Sequence, residues 1–139
     1  MDRATGGLCR LIDEIVEQGG NGVVLGGDVS EERDWCLAVE TLIKRFNTID
    51  ILINNAGVYS TTPFDTTSVE EWERTQATNL RGPFLGTRTV APHMKRNGNG
   101  AIVNISSLAA VYASDSPHYS ASKAGVLALT RVTVTTFGQ

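Results

Sequence analysis

Tyr119 and Lys123 stand four positions apart in "YSASK", with only small residues between them. On a helix, that spacing puts a phenol and an ammonium group on one face. An ammonium beside a phenol favours the phenolate, which makes the phenol usable as an acid or base near neutral pH. The spacing alone equally describes a half-buried tyrosine beside a lysine whose stem lies along apolar surface. The chemical reading also needs a hydroxyl that can hold a substrate oxygen. "IVNISS" at 102–107 offers two, Ser106 and Ser107, at the end of an apolar run.

Two further polar stations close apolar runs. Asp28 follows "VVLGG", and "NNAG" at 54–57 follows "IDILI". In an open parallel sheet, ligands gather at the carboxyl ends of the strands, so three such stations at neighbouring ends point to a site. Taken singly, each has a structural use: Asp28 begins a turn, Asn54 and Asn55 form turns, Ala56-Gly57 permits close packing, and the serines hydrogen-bond a strand end. Asn79 draws notice through Pro83. Proline lacks an N–H, so the Asn79 carbonyl loses its i+4 donor and is free to hold water, or the helix simply kinks there.

Positioning these groups requires a framework of alternating helices and strands. Leu8, Leu11, Ile12, Ile15 and Val16 have the periodicity of an amphipathic helix packed on one face. Short apolar runs at about 23–27, 50–54 and 101–106 predict three buried strands. Ser30 is expected to cap a helix whose inner face carries Trp35, Val39, Leu42 and Phe46. Ser68 and Glu71 form a capping box opening a helix that runs into the mid-nineties. Ser116-Pro117 opens the helix bearing Tyr119 and Lys123. The β-branched "RVTVTTFGQ" makes a poor end for it. The pattern predicts one α/β unit over residues 1–139, a partial doubly wound, Rossmann-like parallel sheet covered on both faces.

Composition narrows the partners. The 139 residues are 41% hydrophobic and 19% charged, as in a globular domain, and a net charge of −3 gives no reason to expect nucleic acid or an anionic membrane. No apolar run approaches the length of a spanning helix, and the amino terminus shows no secretory signal, so a cytoplasmic location is the expectation. Cys9 and Cys36 lack metal-ligand spacing and are expected to be reduced packing thiols; no metal site is expected. His93 is expected at the surface, and His118 beside Tyr119 is a candidate for the substrate pocket. Trp35 and Trp72 are expected to pack.

Together, "DV" at 28–29, "NNAG" at 54–57, "NLRGPFLGT" at 79–87, "IVNISS" at 102–107 and "YSASK" at 119–123 resemble the short-chain dehydrogenase/reductase family, in its compact single-domain branch. The resemblance covers nearly the whole chain and implies an NAD(P)-dependent oxidoreductase interconverting a secondary alcohol and a ketone. It implies Tyr119 as general acid/base and Lys123 as the group that favours its phenolate and holds the nicotinamide ribose. Ser107 would orient the substrate oxygen, with Ser106 the less suitable choice. Asn79 would hold a relay water through its main chain. Asp28 and the Val29 backbone would meet the adenine, and Asn55, Ala56 and Gly57 would border the adenine ribose and nicotinamide side. Asp2 resembles the family's acidic selector at the ribose hydroxyls, which favours NAD over NADP. The resemblance further implies a homo-oligomer built on helices 69–96 and 117–137.

The chain departs from the family at its glycine-rich TGxxxGxG turn, the phosphate cradle: "ATGG" at 4–7 imitates only its start. The three strands resemble the family's third, fourth and fifth. The run at 23–27 is therefore expected to stand apart or to pair directly with 50–54. The isolated chain is expected to be marginally stable, with an apolar edge, and not a competent enzyme. The alternative to an oxidoreductase is an inactive product that at most binds partners through its long helices.

Overall fold

Two of the apolar runs pair into a parallel sheet. Strands β1 (Ile51–Asn54) and β2 (Ala101–Asn104) lie in register, Ile51 opposite Ala101 and Asn54 opposite Asn104. This computed structural model describes residues 5–112 and 114–138. The helices are α1 (Thr5–Glu17), α2 (Glu32–Phe46), α3 (Val69–Gln76), α4 (Gly82–Asn97) and α5 (Pro117–Phe137). A π-helical turn (Ala77–Arg81) joins α3 to α4, and a 3₁₀ turn (Leu108–Ala110) follows β2.

The third expected strand does not form. Residues 23–27 carry no ladder, and Val24 and Leu25 are exposed. A strand exists only where a neighbour's backbone answers its N–H and C=O groups, and β1 pairs with β2 alone among the described residues. The run stands apart, held at its end by side chains. Asp34 Oδ2 accepts from the Asp28 N–H at 2.8 Å, and Trp35 Nε1 donates to the Val29 carbonyl at 2.8 Å. Ser30 does not cap α2. Its N–H donates to Asp28 Oδ1 at 2.8 Å, and Glu31 takes the cap position without a side-chain bond.

The core lies on one face of the sheet, not two. Val39 of α2, Leu52 of β1, and Val90 and Met94 of α4 form it, with Trp35, Ile43, Ile49 and Ile102 packed around them. Gly86 lets α4 close on the sheet: a Cβ there would meet Asn54 Oδ1 and the Trp35 ring, both at 2.8 Å. On the opposite face, Ile51 and Ile53 are 64% and 59% exposed, so no described helix covers it. The expected packing of α1 is likewise incomplete. Leu8, Leu11 and Val16 face solvent, while Ile12 and Ile15 pack against Gly20 and Gly22 in the loop that follows. Cys36, expected to pack, is exposed.

Ser68 caps α3 as expected, its hydroxyl accepting from the Glu71 N–H at 3.1 Å. The helix does not run unbroken into the nineties. In the π turn the Gly82 N–H reaches the Ala77 carbonyl, and Pro83 follows in the first turn of α4. Inserting one residue per turn accommodates a proline that cannot donate to Asn79. At its far end α5 reaches Phe137, the bound expected of it, in spite of the β-branched residues there. The hydroxyls of Thr133, Thr135 and Thr136 each donate to the carbonyl four residues earlier, so the run satisfies its polar groups within the helix.

Candidate active site

The carboxyl ends of β1 and β2 point toward the start of α5. After β1 the chain turns through Asn55, Ala56 and Gly57; after β2 it passes Ile105, Ser106 and Ser107. The Ile105 N–H donates to the Asn54 carbonyl at 3.1 Å, so the two exits begin side by side. Beneath them a polar chain crosses the interior. Asn54 Nδ2 donates to Asn104 Oδ1 at 2.8 Å, and Asn104 Nδ2 donates to Thr130 Oγ1 at 3.0 Å. These bonds tie β1 to β2 and β2 to α5. The spacing of the asparagines shows nothing of this, because it arises only from the strand register.

Lys123 lies almost fully buried, 5% exposed. Its Nζ donates to the Ile105 carbonyl at 2.7 Å and lies 5.7 Å from the centre of the Tyr119 ring. Loss of solvent disfavours the ammonium and pushes the Lys123 pKa below its ordinary value. A Cβ built on Gly57 would stand 3.8 Å from that Nζ and 3.4 Å from Asn79 Oδ1. Glycine therefore keeps the space beside the ammonium open. The phenol, the ammonium and the β1 exit converge.

The serines separate by their partners. Ser106 Oγ donates to the Lys123 carbonyl at 3.0 Å, spending its proton on α5. Ser107 Oγ accepts from the Ala109 N–H at 3.2 Å and caps the 3₁₀ turn, which leaves its own proton for another acceptor. Asn79 is fully buried, and its side chain is wholly engaged. Its Oδ1 accepts from the Val58 N–H at 2.8 Å, and its Nδ2 donates to the Val58 carbonyl at 2.9 Å and to Ser122 Oγ at 3.1 Å. Ser122 in turn donates to the Tyr119 carbonyl at 2.7 Å. Asn79 thus clamps the β1 exit onto α5. Ser122 gave no separate signal in the sequence, being one of the small residues inside "YSASK".

On the other side of β1, a shallow slot is lined by Val29, Ile53, Asn55, Ala56 and Pro83 among others. Asp28 stands next to it in sequence. The Ser30 N–H holds its carboxylate below the ordinary aspartate range, with the Ser30 hydroxyl and Arg81 adding to the effect. The Val29 carbonyl already accepts from Trp35 Nε1. Asp2 lies outside the described residues.

Sequence also gave no sign of Tyr59, whose ring meets that of Tyr119 edge-on with centroids 4.8 Å apart. His118, a candidate for the substrate pocket, is instead fully buried and bonded to Ser60. His93 is half-buried and paired with Arg96.

The family described as short chain dehydrogenase matches residues 1–139. Cyclopentanol dehydrogenase of Comamonas testosteroni is 40% identical over 123 residues, 88% of this chain and 49% of its own length. Among solved structures, a short chain dehydrogenase from Mycobacterium avium superposes with a TM-score of 0.87 at 31% identity, over 94% of this chain and 48% of that one. A metagenomic short-chain oxidoreductase in complex with NADP gives a TM-score of 0.89 at 31% identity, over 97% of this chain and 62% of that one. The chain spans about half the length of the curated relatives it matches.

Proposed function

This chain belongs to the short-chain dehydrogenase family, and we propose that it carries the acid/base half of an NAD(P)-dependent oxidoreductase that interconverts a secondary alcohol and a ketone. The observation that carries the reading is the buried Lys123 ammonium, anchored on the Ile105 carbonyl and lying beside the Tyr119 ring at the strand ends. A structural lysine would extend its head into water. Here desolvation is accepted to keep the head beside a phenol.

In the direction of oxidation, the alcohol oxygen sits between Ser107 and Tyr119. Ser107 donates its free proton to that oxygen and orients the carbinol carbon. Tyr119, as phenolate, takes the hydroxyl proton as the carbon–oxygen double bond forms. An oxidised nicotinamide, held by Lys123 and the strand ends, would supply the hydride acceptor that this oxidation requires. Lys123 stabilises the phenolate and, with the donors that Ile105 leaves free, holds ribose hydroxyls. The Asn79 carbonyl, which Pro83 cannot reach with an N–H, would hold a water through which Lys123 exchanges that proton with solvent.

The residues fit the nucleoside ends of such a cofactor. The slot beside Val29 and Ala56 is apolar-walled, as an adenine face requires, and Asp28, next to Val29 in sequence, would offer its carboxylate to an exocyclic amine. Gly57 leaves room beside Lys123 for the ribose. Asp2 remains the proposed selector of NAD over NADP. The chain of the metagenomic neighbour binds NADP. The substrate is a small-molecule alcohol or ketone, the setting is cytoplasmic, and the outward faces of 69–96 and 117–137 meet a second subunit. Among the described residues, no helix is long and apolar enough to cross a membrane.

Titration of the full chain with NAD and NADP, followed by the fluorescence of Trp35 beside the slot, tests the reading. Saturable quenching, stronger with NAD, is expected. No response to either nucleotide would leave only the alternative of a helix-mediated interaction module.

A further inference from the structure

We propose that His118 is a positioning residue for Tyr119, acting through a directed hydrogen-bond chain that ends on Glu71. The inference rests on the reading of Tyr119 as the acid/base. Ser60 Oγ donates its single proton to Glu71 Oε1 and lies 2.8 Å from His118 Nε2. With that proton spent, Ser60 can only accept from the imidazole, so His118 carries a proton on Nε2. Nδ1 is buried and has no hydrogen-bond partner among the described residues, so the ring is held at Nε2 alone, by Ser60 and, 3.8 Å away, by Glu71 Oε1. Thr62 Oγ1 donates to the same Glu71 oxygen at 2.8 Å. Glu71 is itself fixed in the first turn of α3 by the Ser68 cap.

The consequence falls on the neighbouring residues. His118 pairs with Ser60, and the next residues along each segment, Tyr119 and Tyr59, pair through their rings. The two contacts are successive rungs between the start of α5 and the loop after β1. Ser116 Oγ adds a bond to the Ser60 carbonyl, and Gln76 Nε2 holds the His118 carbonyl at 2.8 Å. Anchored on α3, the His118 rung fixes where the Tyr119 rung falls, and so where the phenol stands relative to Ser107. A buried histidine that served packing alone would not require its polar edge to face a serine already committed to a carboxylate.

The full chain tests this by NMR and by turnover. The edge-on Tyr59 ring shifts the Tyr119 ring protons, and Tyr59→Leu gives the size of that shift. His118→Leu is expected to abolish it in a chain that still unfolds cooperatively, whereas His118→Gln, which keeps a donor near the Nε2 position, retains it. In turnover of a secondary alcohol, His118→Leu is expected to lower kcat about 10- to 100-fold with KM little changed, as displacement of a reacting group does; His118→Gln recovers most of the loss. A Tyr119 shift that stays put in folded His118→Leu overturns the proposal, as does an equal loss of kcat in the Leu and Gln variants. If His118→Leu does not fold, Ser60→Ala breaks the same chain more gently, and an unmoved Tyr119 shift there is equally fatal. Wild-type turnover in Tyr119→Phe would overturn the acid/base reading alone, because the NMR shift reports ring position whatever the chemistry.

Discussion

Lys123 and Ile105 are joined by a 2.7 Å hydrogen bond from ammonium to carbonyl, which ties the helix bearing the phenol to the loop bearing the serines. The bond anchors the ammonium, and burial makes it costly. Burial lowers the Lys123 pKa, so the folded chain gives up this proton before the unfolded chain does. In the interval below the ordinary lysine value of 10.5, the unfolded state therefore binds more protons, and stability rises with pH. Urea unfolding across that alkaline interval should show the rise, and Lys123→Met should remove this contribution to it. An unchanged slope in the variant would mean that Lys123 titrates as if exposed.

Glu71 works in the opposite range. The Ser60 hydroxyl, then that of Thr62, holds its carboxyl below the ordinary glutamate value of 4.5. The resulting stabilisation is complete above that value and is lost as pH falls through the lowered folded pKa. Glu71→Gln should flatten acid unfolding in this window. A variant that loses stability on acidification as steeply as the parent would remove Glu71 from the account.

The two serines should fail differently. Ser107→Ala removes the proposed donor to the reacting oxygen and should cut turnover about 100-fold with little effect on unfolding. Ser106→Ala removes a bond to the Lys123 carbonyl and should cost about 1 kcal/mol of stability, with a smaller effect on rate. The reverse pattern, read from kinetics and denaturant melts on both variants, would exchange their roles.

Asn79→Ala deletes three side-chain hydrogen bonds at a fully buried position. The loss should be about 2–4 kcal/mol, since the Val58 N–H and C=O are left without these partners. Chemical denaturation measures it, and a loss under about 0.5 kcal/mol would show that water replaces the amide freely.

Local pattern carried much of this structure. The Ser68 cap, the Ser116-Pro117 helix start and the two paired strands are each written within a few residues. The sheet partner of residues 23–27 is not: an apolar run shows a wish to be buried, and a ladder depends on which backbone lies alongside. The same limit hid the polar interior. Asn54 reads as a turn former, yet it bonds Asn104 across the sheet, 50 positions away. His118 and Ser60 are 58 positions apart, and only the packing of α5 against the β1 exit brings them together. Tyr119 and Lys123 were legible because helical spacing alone sets their geometry. The same holds for Ser107, whose place at a strand end was visible although the partner that frees its proton was not.

The most direct test of the central claim is the rate of NAD(P)-dependent oxidation of a secondary alcohol, measured for a protein that joins this chain to a glycine-rich phosphate turn and for its Tyr119→Phe variant, with nucleotide affinity determined on both. The account predicts that the Phe variant binds nucleotide as the parent does and turns over at least about 100-fold more slowly. Equal turnover in the two proteins would contradict it.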